Sequence, residues 1–358
     1  MKEFSCETKI IMGNQAVSAI ARQNFQRLMV VSDPFFSKNG WAERLGNMAQ
    51  QYQIFDRIEP DPSVVLVAEG TAQVQAFQPD GMVALGGGSA MDCAKAMAYF
   101  SGLDFPLIAV PTTSGSGSEV TDFAIITHDG IKHPLVDKKL RPSMAILEEA
   151  LLSELPPTLI ADSGFDVLAH ALEGWVGTQA TAMTDALAAD AFCTAFSLLE
   201  ASFSGDQTVR LDIHIASTMA GLAFTQGGLG LCHALSHALG GRFHLPHGRL
   251  NAILLPAVIG INAEFAGRKY AALARRTGLG SGSDTMSVRN LKNALIRLRT
   301  ALKLPGTLAQ AGIPPAELSA HMEELVSAAL ADPCCATNPG TVTAEMVRSV
   351  LRESMGRG

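Results

Sequence analysis

The sequence has 358 residues, of which 47% are hydrophobic and 17% charged, and this composition favours a compact protein with a large apolar core. Its formal net charge of −7 and its lack of lysine or arginine runs argue against nucleic acid as a partner. The six cysteines are scattered without a C-x-x-C pair, so we expect reduced thiols in a cytosol-like compartment.

Targeting and membrane signals are weak in this sequence. The N-terminal residues MKEFSCETKIIMG contain no apolar segment of signal-peptide length. The most membrane-like stretch, Ala216 to Leu235, is interrupted by Gln226, His233 and several glycines. The apolar run NAILLPAVIGI is too short to span a bilayer and contains Pro256. We therefore expect a cytoplasmic protein without a membrane partner.

Short β-rich runs alternate with helical patterns in the first half of the chain. QRLMVVSD predicts a buried strand that ends at Asp33, and ERLGNMAQQY predicts a helix after it. GMVAL and PLIAV predict further strands, each followed by a turn rich in glycine or hydroxyl side chains. Strands that alternate with helices indicate a parallel, Rossmann-like sheet with helices on its faces.

The second half is predicted to be helical. From about Thr158 onward strand signals are few, and the clearest helical periods are TDALAADAFCTAFSLLEA, SVRNLKNALIRLRTAL, PAELSAHMEELVSAAL and AEMVRSVLRE. The Pro156-Pro157 pair marks the boundary, because each proline disfavours helix at the residue before it. The sequence thus predicts an α/β domain over residues 1–157 and an all-α domain over residues 158–358.

The segment GMVALGGGSAMDCAKAMAYF, residues 81–100, is typical of a strand, a glycine turn and a helix. Glycines 86–88 allow a ligand to approach the backbone closely, and Ser89 with Asp92 resembles a capping pattern at the helix start. The N-terminus of a helix attracts anions through its free N–H groups and its positive dipole end. The turn therefore predicts a phosphate site, although a plain tight turn has the same composition.

A second loop of this kind, PTTSGSGSEVT (residues 111–121), follows the next predicted strand. Its hydroxyl groups suit ribose and phosphate oxygens, although a flexible loop without a ligand has a similar sequence. Ligands bind beyond the carboxyl ends of the strands in open parallel sheets, so the two loops together favour a dinucleotide site. Asp33 either caps the following turn or accepts hydrogen bonds from a ribose 2′-hydroxyl, which favours NAD over NADP.

Candidate metal ligands occur in the helical half. Asp166 and His170 stand four residues apart in DSGFDVLAHALEGWV, on one face of a helix, an arrangement that by itself is more often a surface or core pair. GLCHALSHALGGRFHLPHG adds His233 and His237 at the same spacing, and His247 after a turn. One carboxylate and three imidazoles suit a divalent transition metal. A further histidine there can orient a ligand or relay a proton.

Four motifs together resemble those of the iron-containing alcohol dehydrogenase family, namely GGGSAMDCAK, PTTSGSGSEVT, GFDVLAHALEGWV and GLCHALSHALGGRFHLPHG. The resemblance covers nearly the whole chain, down to ALADPCCATNP. It implies the family fold, also found in dehydroquinate synthase, in which an α/β dinucleotide-binding domain is joined to an all-α metal-binding and substrate domain. It also implies NAD(H)-dependent interconversion of an alcohol and an aldehyde, Fe²⁺ with Zn²⁺ as the alternative metal, and a homodimer or larger homo-oligomer.

Within the family, the chain looks most like propanol dehydrogenases associated with bacterial diol-degrading microcompartments. This finer resemblance implies a short-chain primary alcohol such as 1-propanol, ethanol or a diol as the substrate. It also implies that the protein associates with a microcompartment.

Carried over residue by residue, the resemblance assigns a role to each matching position. The implied metal ligands are Asp166, His170, His233 and His247. The implied cofactor-binding residues are Asp33, Gly87, Gly88, Ser89, Thr112, Thr113, Ser114, Ser116 and Lys132. His237 matches a catalytic histidine near the nicotinamide that is not a ligand, and Phe123 and Phe224 match the substrate pocket. His244 matches no metal position and is expected to be structural.

Three positions depart from the family pattern. Ser116 stands where threonine is usual, Arg249 is bulkier than the residue often found after PHG, and TNPG at 337–340 lacks an arginine. We expect Arg249 to narrow the site or to bind an oxygen. Two alternative functions use the same residues, a dehydroquinate synthase-like enzyme and a metal hydrolase. The apolar Phe224, Leu229 and Leu231 disfavour the first alternative, because its phosphorylated substrate needs basic partners, and tight NADH binding would exclude the second.

Overall fold

The computed structural model describes residues 4–128 and 131–356 and divides the chain into two compact units. One unit spans Ser5–Leu155, and the other begins at Pro156. Pro157, expected at the end of the first domain, is the first residue of a long helix in the second unit. Proline suits this position, because the first turn of a helix makes no use of its missing N–H.

The first unit is built on a parallel sheet, as the sequence predicts. Its strands are β1 (Lys9–Gly13), β2 (Arg27–Ser32), β3 (Gln51–Phe55), β4 (Gly81–Gly86), β5 (Leu107–Pro111), β6 (Phe123–His128), β7 (Ile131–Val136) and β8 (Met144–Glu148). Six of them pair in parallel in the order β1-β8-β5-β4-β2-β3, and β6 and β7 form an antiparallel hairpin. The chain passes from one side of β2 to the other between β3 and β4, which creates a switch point beside β2.

The central strands are buried because helices cover both faces of the sheet. Every residue of β4 and of β5 is buried, and such continuous apolar runs are typical of parallel strands. In β2, Leu28 and Val30 belong to one hydrophobic cluster, whereas Met29 and Val31 belong to another. This alternation places one cluster on each face of the sheet. The strands predicted from QRLMVVSD, GMVAL and PLIAV are confirmed.

One helix of this unit is shorter than predicted. The helices are α1 (Pro34–Lys38), α2 (Trp41–Gly46), α3 (Val64–Phe77) and α4 (Gly88–Ser101). The prediction of a helix throughout ERLGNMAQQY is wrong, because α2 ends at Gly46 and β3 begins at Gln51. A Cβ on Gly46 would lie 2.5 Å from the ring of Tyr52, so the pairing of β3 with β2 brings that ring against the helix end. Strand pairing has overridden local helix propensity.

Among the described residues of the second unit, the secondary-structure elements are helices, which confirms the prediction. Its helices are α5 (Pro157–Val176), α6 (Ala182–Phe203), α7 (Arg210–Gly227), α8 (Leu231–Phe243), α9 (His247–Arg276), α10 (Asp284–Ala301), α11 (Pro315–Ala320), α12 (Met322–Ala331) and α13 (Ala344–Met355). The predicted single helix PAELSAHMEELVSAAL is two helices, because the backbone of His321 leaves the helical region at φ −101° and ψ 8°.

Helix α5 lies at the centre of this unit. All of its residues from Gly164 to Val176 are buried, and it packs against α6, α7 and α9. A Cβ on Gly248 would lie 1.9 Å from the carbonyl oxygen of Asp162, so only glycine brings the start of α9 so close to α5. This close approach positions the site described below.

Two helices, α6 and α9, are long and apolar enough to cross a membrane by length and composition alone. The run NAILLPAVIGI lies inside α9, which extends over 30 residues with Pro256 in its interior. In the most apolar window of α9, 67% is buried inside the protein, as is usual for a core helix. These helices are therefore weak evidence for a membrane span.

Candidate metal centre and dinucleotide site

Three helices of the second unit carry the predicted metal ligands. Asp166 and His170 lie one turn apart on α5, His233 lies in the first turn of α8, and His247 is the first residue of α9. Helix α8 ends at Phe243, and the left-handed backbone of its C-cap residue His244 (φ 55°) begins the turn towards α9. The fold therefore brings two separate sequence motifs to one place.

The four side chains meet the geometric requirement of a single-ion site. One ligand atom from each of Asp166, His170, His233 and His247 lies within 4.8 Å of the others. Oδ1 of Asp166 lies 3.6 Å from Nε2 of His247 and 3.9 Å from Nε2 of His233. Ligand atoms that share one ion through bonds of about 2.1 Å stand about 3–4 Å apart, so small adjustments suffice to bind one.

The electrostatics of this cluster suit a divalent cation. Burial raises the pKa of Asp166 to about 8, although a hydrogen bond from Asn251 lowers it, and the charge of Asp162 raises it further. Burial also lowers the pKa of His233 to about 3, and the neighbouring His237 lowers it further. A neutral imidazole offers a lone pair, and a buried carboxylate is stabilised by a cation. The chemistry of the donor set therefore fits Fe²⁺ or Zn²⁺.

Glu173, on α5, fixes the orientation of His233. Oε2 of Glu173 lies 2.6 Å from Nδ1 of His233. The same carboxylate accepts hydrogen bonds from the backbone N–H groups of Gly230 (2.9 Å) and Cys232 (2.7 Å) at the start of α8. Because Nδ1–H of His233 donates to Glu173, Nε2 keeps its lone pair for a metal. A carboxylate that holds the second nitrogen of a ligand histidine is typical of metal sites.

Asn251 holds Asp166 in a similar way. Its Nδ2 donates to Oδ1 of Asp166 at 2.7 Å, and its own Oδ1 accepts a hydrogen bond from Oγ of Ser236 at 2.6 Å. No role was predicted for Glu173 or Asn251 from the sequence. Their spacing could have indicated these roles. Glu173 follows His170 by three residues and Asn251 follows His247 by four, which places each on the same helix face as that ligand.

Arg249 does not serve as a free cation for a substrate oxygen. Its Nε and Nη2 donate to the two carboxylate oxygens of Asp162 at 3.1 and 2.8 Å. Asp162 lies on α5 one turn before Asp166. This bidentate ion pair therefore joins the start of α9 to α5 beside the ligands.

His237 and Phe224 lie next to the four-residue cluster. The ring of His237 stacks on that of His247 with centroids 5.1 Å apart, and its Nδ1 lies 2.8 Å from Oδ2 of Asp332. The ring of Phe224, on α7, stacks on His170 with centroids 4.4 Å apart. Asp332 lies within the quoted motif ALADPCCATNP, but no role was predicted for it.

The predicted cofactor residues surround the switch point of the α/β unit. Asp33 directly follows β2, Gly87 joins β4 to α4, and Thr112 follows β5. The N–H of Thr112 donates to the carbonyl of Gly86 at 3.0 Å, which joins the ends of β4 and β5. These positions form one edge of the sheet, where ligands of open parallel sheets bind.

The glycine turn and the hydroxyl loop are in contact. A Cβ on Gly87 would lie 3.2 Å from Oγ1 of Thr113, and a Cβ on Gly88 would lie 3.2 Å from Cβ of Ser116. Ser114 is buried within the loop. Small residues are therefore needed for the two loops to meet, and both loops face the same edge of the sheet.

The predicted capping pattern of Ser89 and Asp92 is wrong. Helix α4 has Gly87 as its N-cap and no side-chain cap. Asp92 instead accepts hydrogen bonds from Oγ of Ser118 at 2.7 Å and from the N–H of Ile125 at 3.0 Å, because β6 packs beside α4. The N–H groups of the first turn are left without a side-chain partner, which is the arrangement that binds phosphate.

Lys132 and Phe123 belong to the β6–β7 hairpin. Nζ of Lys132 forms an ion pair with Oδ1 of Asp61 at 2.6 Å, and the N–H of Asp61 donates to Oγ of Ser89 at 3.4 Å. Lys132 thus reaches the glycine turn through Asp61. The carbonyl of Phe123 accepts a hydrogen bond from Nζ of the buried Lys95 at 2.9 Å.

Asp33 is an N-cap, as one of its two interpretations predicts. Oδ1 accepts hydrogen bonds from the N–H groups of Phe35 (2.9 Å) and Phe36 (3.2 Å) at the start of α1. Burial raises the pKa of the Asp33 carboxyl group. Oδ2 lies 3.5 Å from the position of a Cβ on Gly86, so this oxygen points along the switch-point edge. Capping through Oδ1 leaves the second oxygen available for a ribose.

The chain thus combines an α/β unit, whose glycine turn suits phosphate, with a helical unit that carries one carboxylate and three histidines. This combination defines a class of metal- and dinucleotide-dependent oxidoreductases. The iron-containing alcohol dehydrogenase model matches residues 7–149, and the C-terminal model of the Fe-containing alcohol dehydrogenase family matches residues 160–355. The chain is 39% identical over 368 residues to 1-propanol dehydrogenase PduQ of Salmonella typhimurium, covering 99% of this chain and 100% of that protein.

The fold of this chain is also similar to those of solved alcohol dehydrogenase and aldehyde reductase structures. Iron-containing alcohol dehydrogenase from Thermococcus thioreducens gives a TM-score of 0.92 at 30% identity, over 98% of this chain and 99% of that one. Sulfoacetaldehyde reductase from Bifidobacterium kashiwanohense, solved in complex with NAD⁺, gives 0.88 at 26% identity, over 99% and 98% of the two chains.

The chain therefore belongs to the iron-containing alcohol dehydrogenase family. It is an oxidoreductase that interconverts alcohols and aldehydes with the family's cofactors, NAD(H) and Fe²⁺. Neither a dehydroquinate synthase-like enzyme nor a metal hydrolase is favoured.

We expect Glu173→Gln to weaken iron retention about 10- to 100-fold, because an amide cannot accept the hydrogen bonds from His233 and from the start of α8 together. Iron content is measured after dialysis against graded chelator. Glu200→Gln, at an exposed position of α6, is the matched control. Equal retention in the two variants would contradict the role of Glu173.

Proposed function

We propose that Asp166, His170, His233 and His247 hold the catalytic iron of an NAD-dependent dehydrogenase for short-chain primary alcohols. The observation that carries the proposal is the convergence of four ligand atoms within 4.8 Å in the helical unit, three of them on buried residues. When bound, a divalent ion supplies Lewis-acid polarisation of a substrate oxygen. Zn²⁺ binds such ligands more tightly than Fe²⁺, so purified protein can also carry zinc.

The residues beside the ligands favour a small apolar substrate. The ring of Phe224 stacks on that of His170, one of the four proposed ligands. Phe224 and Phe123 are the proposed residues of the substrate pocket. Similarity to a 1-propanol dehydrogenase supports 1-propanol, ethanol or a diol, with the corresponding aldehyde as the product of oxidation.

We assign proton movement to His237. Its Nδ1–H donates to Asp332, which leaves Nε2 with a lone pair. The side chain is 29% exposed, so its ring has access to solvent, whereas His233 is buried. His237 can therefore accept the hydroxyl proton during alcohol oxidation and return a proton during aldehyde reduction.

Cofactor binding is assigned to the switch-point edge of the α/β unit. The glycine turn of Gly87, Gly88 and Ser89 suits the pyrophosphate, because the N–H groups of α4 are uncapped by side chains. The hydroxyl loop contributes Thr112, Thr113, Ser114 and Ser116, and Lys132 lies beside the turn through Asp61. Oδ2 of Asp33 suits a ribose 2′-hydroxyl and repels a 2′-phosphate, which favours NAD over NADP.

We also propose a cytoplasmic homodimer or larger homo-oligomer associated with a bacterial microcompartment. Similarity to PduQ over the full length of both chains supports this assignment. The expected binding partners are further copies of this chain and the small alcohol or aldehyde substrate.

Reconstituted enzyme tests the proposed function. After loading with iron or zinc, we expect NADH oxidation with propanal and other short aldehydes, and NAD⁺ reduction with 1-propanol and diols. The assay follows NADH absorbance with NADPH in parallel. Iron-loaded protein that binds NADH but turns over no short aldehyde would refute the substrate class.

Cofactor choice is tested by Asp33→Asn. The asparagine Oδ1 still caps α1, whereas the charge that opposes a 2′-phosphate is lost. We expect the KM for NADPH to fall about tenfold or more, which corresponds to about 1.4 kcal/mol, with a smaller change for NADH. An unchanged ratio of the two KM values would show that Asp33 does not select the cofactor.

The role of His237 is separated from metal binding by three variants. His237→Ala should lower kcat while the iron content stays near that of the wild type, because His237 is not one of the four ligands. His233→Ala and His247→Ala should instead lose both iron and activity. Iron content is measured on each purified variant. Loss of iron from His237→Ala would contradict the assignment.

A further inference from the structure

A second cluster of metal-ligating side chains lies in the helical unit beside the metal centre. It consists of His237, Asp332 and Cys334, with one ligand atom of each within 4.8 Å of the others. His237 comes from α8, whereas Asp332 and Cys334 come from the segment that follows α12. No residue of this cluster belongs to the group of four described above.

Asp332 holds the cluster together. Its Oδ2 lies 2.8 Å from Nδ1 of His237, and its Oδ1 accepts the N–H of Cys334 at 2.8 Å. The second contact caps the 3₁₀ turn Pro333–Thr337, so the backbone that carries Cys334 is fixed relative to the carboxylate. Nitrogen, oxygen and sulfur donors are therefore already assembled around one point.

Solvent can reach this cluster. The side chain of His237 is 29% exposed and that of Asp332 is 14% exposed, and Cys334 is half-buried. The side chain of His233, four residues before His237 on α8, is by contrast only 1% exposed. A cation from solution can thus reach the second cluster directly.

We propose that His237, Asp332 and Cys334 form a second metal site, which binds thiophilic divalent ions such as Zn²⁺ and Cd²⁺ in preference to Fe²⁺. Thiolate is a soft ligand that favours such ions, and three protein ligands with an open fourth position are a common arrangement around Zn²⁺. On binding, the Cys334 thiol releases its proton to solvent, and the ring proton of His237 moves through solvent from Nδ1 to Nε2. No electron transfer is involved.

Occupation of this site has a consequence that rests on the proposed role of His237. With the ion on Nδ1, Nε2 carries the ring proton and cannot accept one from the substrate. Because the His237 ring stacks on His247, the block occurs next to the catalytic ion. We therefore expect one equivalent of Cd²⁺ to inhibit the iron-loaded enzyme while its iron content stays unchanged.

Titration of the iron-loaded enzyme with Cd²⁺ tests the site. A Cd²⁺–thiolate bond gives an ultraviolet charge-transfer band, whereas exchange at the four-residue centre, which has no sulfur ligand, gives none. We expect one equivalent of Cd²⁺ to develop the band in the wild type, and Cys334→Ser to abolish it. Cys335→Ser is the matched control, because the neighbouring Cys335 thiol donates to the carbonyl of Ala329 at 3.0 Å and lies outside the cluster.

The results of this titration distinguish failure of the second metal site from failure of the role proposed for His237. A band that persists in Cys334→Ser, or that never forms in the wild type, would overturn the second site. A band lost only in Cys334→Ser supports it, whatever the activity. NADH turnover is followed in the same titration, and a complete band without inhibition would support the site but refute proton movement through His237.

Discussion

The hydrogen bonds between Glu173 and the start of α8 are the contacts on which the site of the helical unit depends. A carboxylate in the buried centre of α5 is costly unless donors surround it. Glu173 meets this requirement with the N–H groups of Gly230 and Cys232 and with the ring of His233. The same contacts join α8 to α5 and select the tautomer of His233. The same hydrogen bonds therefore stabilise the packing of α8 on α5 and orient His233 as a ligand.

Asp166 is stabilised less completely than Glu173. Burial raises the pKa of both carboxyl groups, to about 8 for Asp166 and about 7 for Glu173. Asp166 receives a hydrogen bond from the Asn251 amide, whereas Glu173 receives several from the backbone. A divalent cation would complete the stabilisation of Asp166, which explains why a buried acid is placed among three imidazoles.

The two histidines of α8 show how burial divides the roles of similar residues. Nδ1 of His233 is held by Glu173, and Nδ1 of His237, one turn later, is held by Asp332. The side chain of His233 is 1% exposed, whereas that of His237 is 29% exposed and lies beside Cys334. The same hydrogen bond therefore orients a ligand in one place and, in the other, a ring that can exchange protons or bind a thiophilic ion.

The sequence by itself determined the two architectures and the main candidates for chemistry. Continuous apolar runs such as GMVAL predicted the central strands, because a strand covered on both faces needs no polar residue. Helical spacing placed Asp166 with His170 and His233 with His237, since neighbours on one helix face are fixed by its period. The family motifs then supplied roles for these residues and for the two loops of the α/β unit.

Only the tertiary structure decided which distant groups meet. Helix α2 ends at Gly46, where the ring of Tyr52 lies against it. Asp92 bonds Ser118 instead of forming the expected cap, and Arg249 pairs with Asp162. The tertiary structure also brought Asp332 to His237 across 95 residues of chain. Sequence periodicity reports which face of an element is buried, but the partner on the other side of that interface is set by packing between segments far apart in the chain.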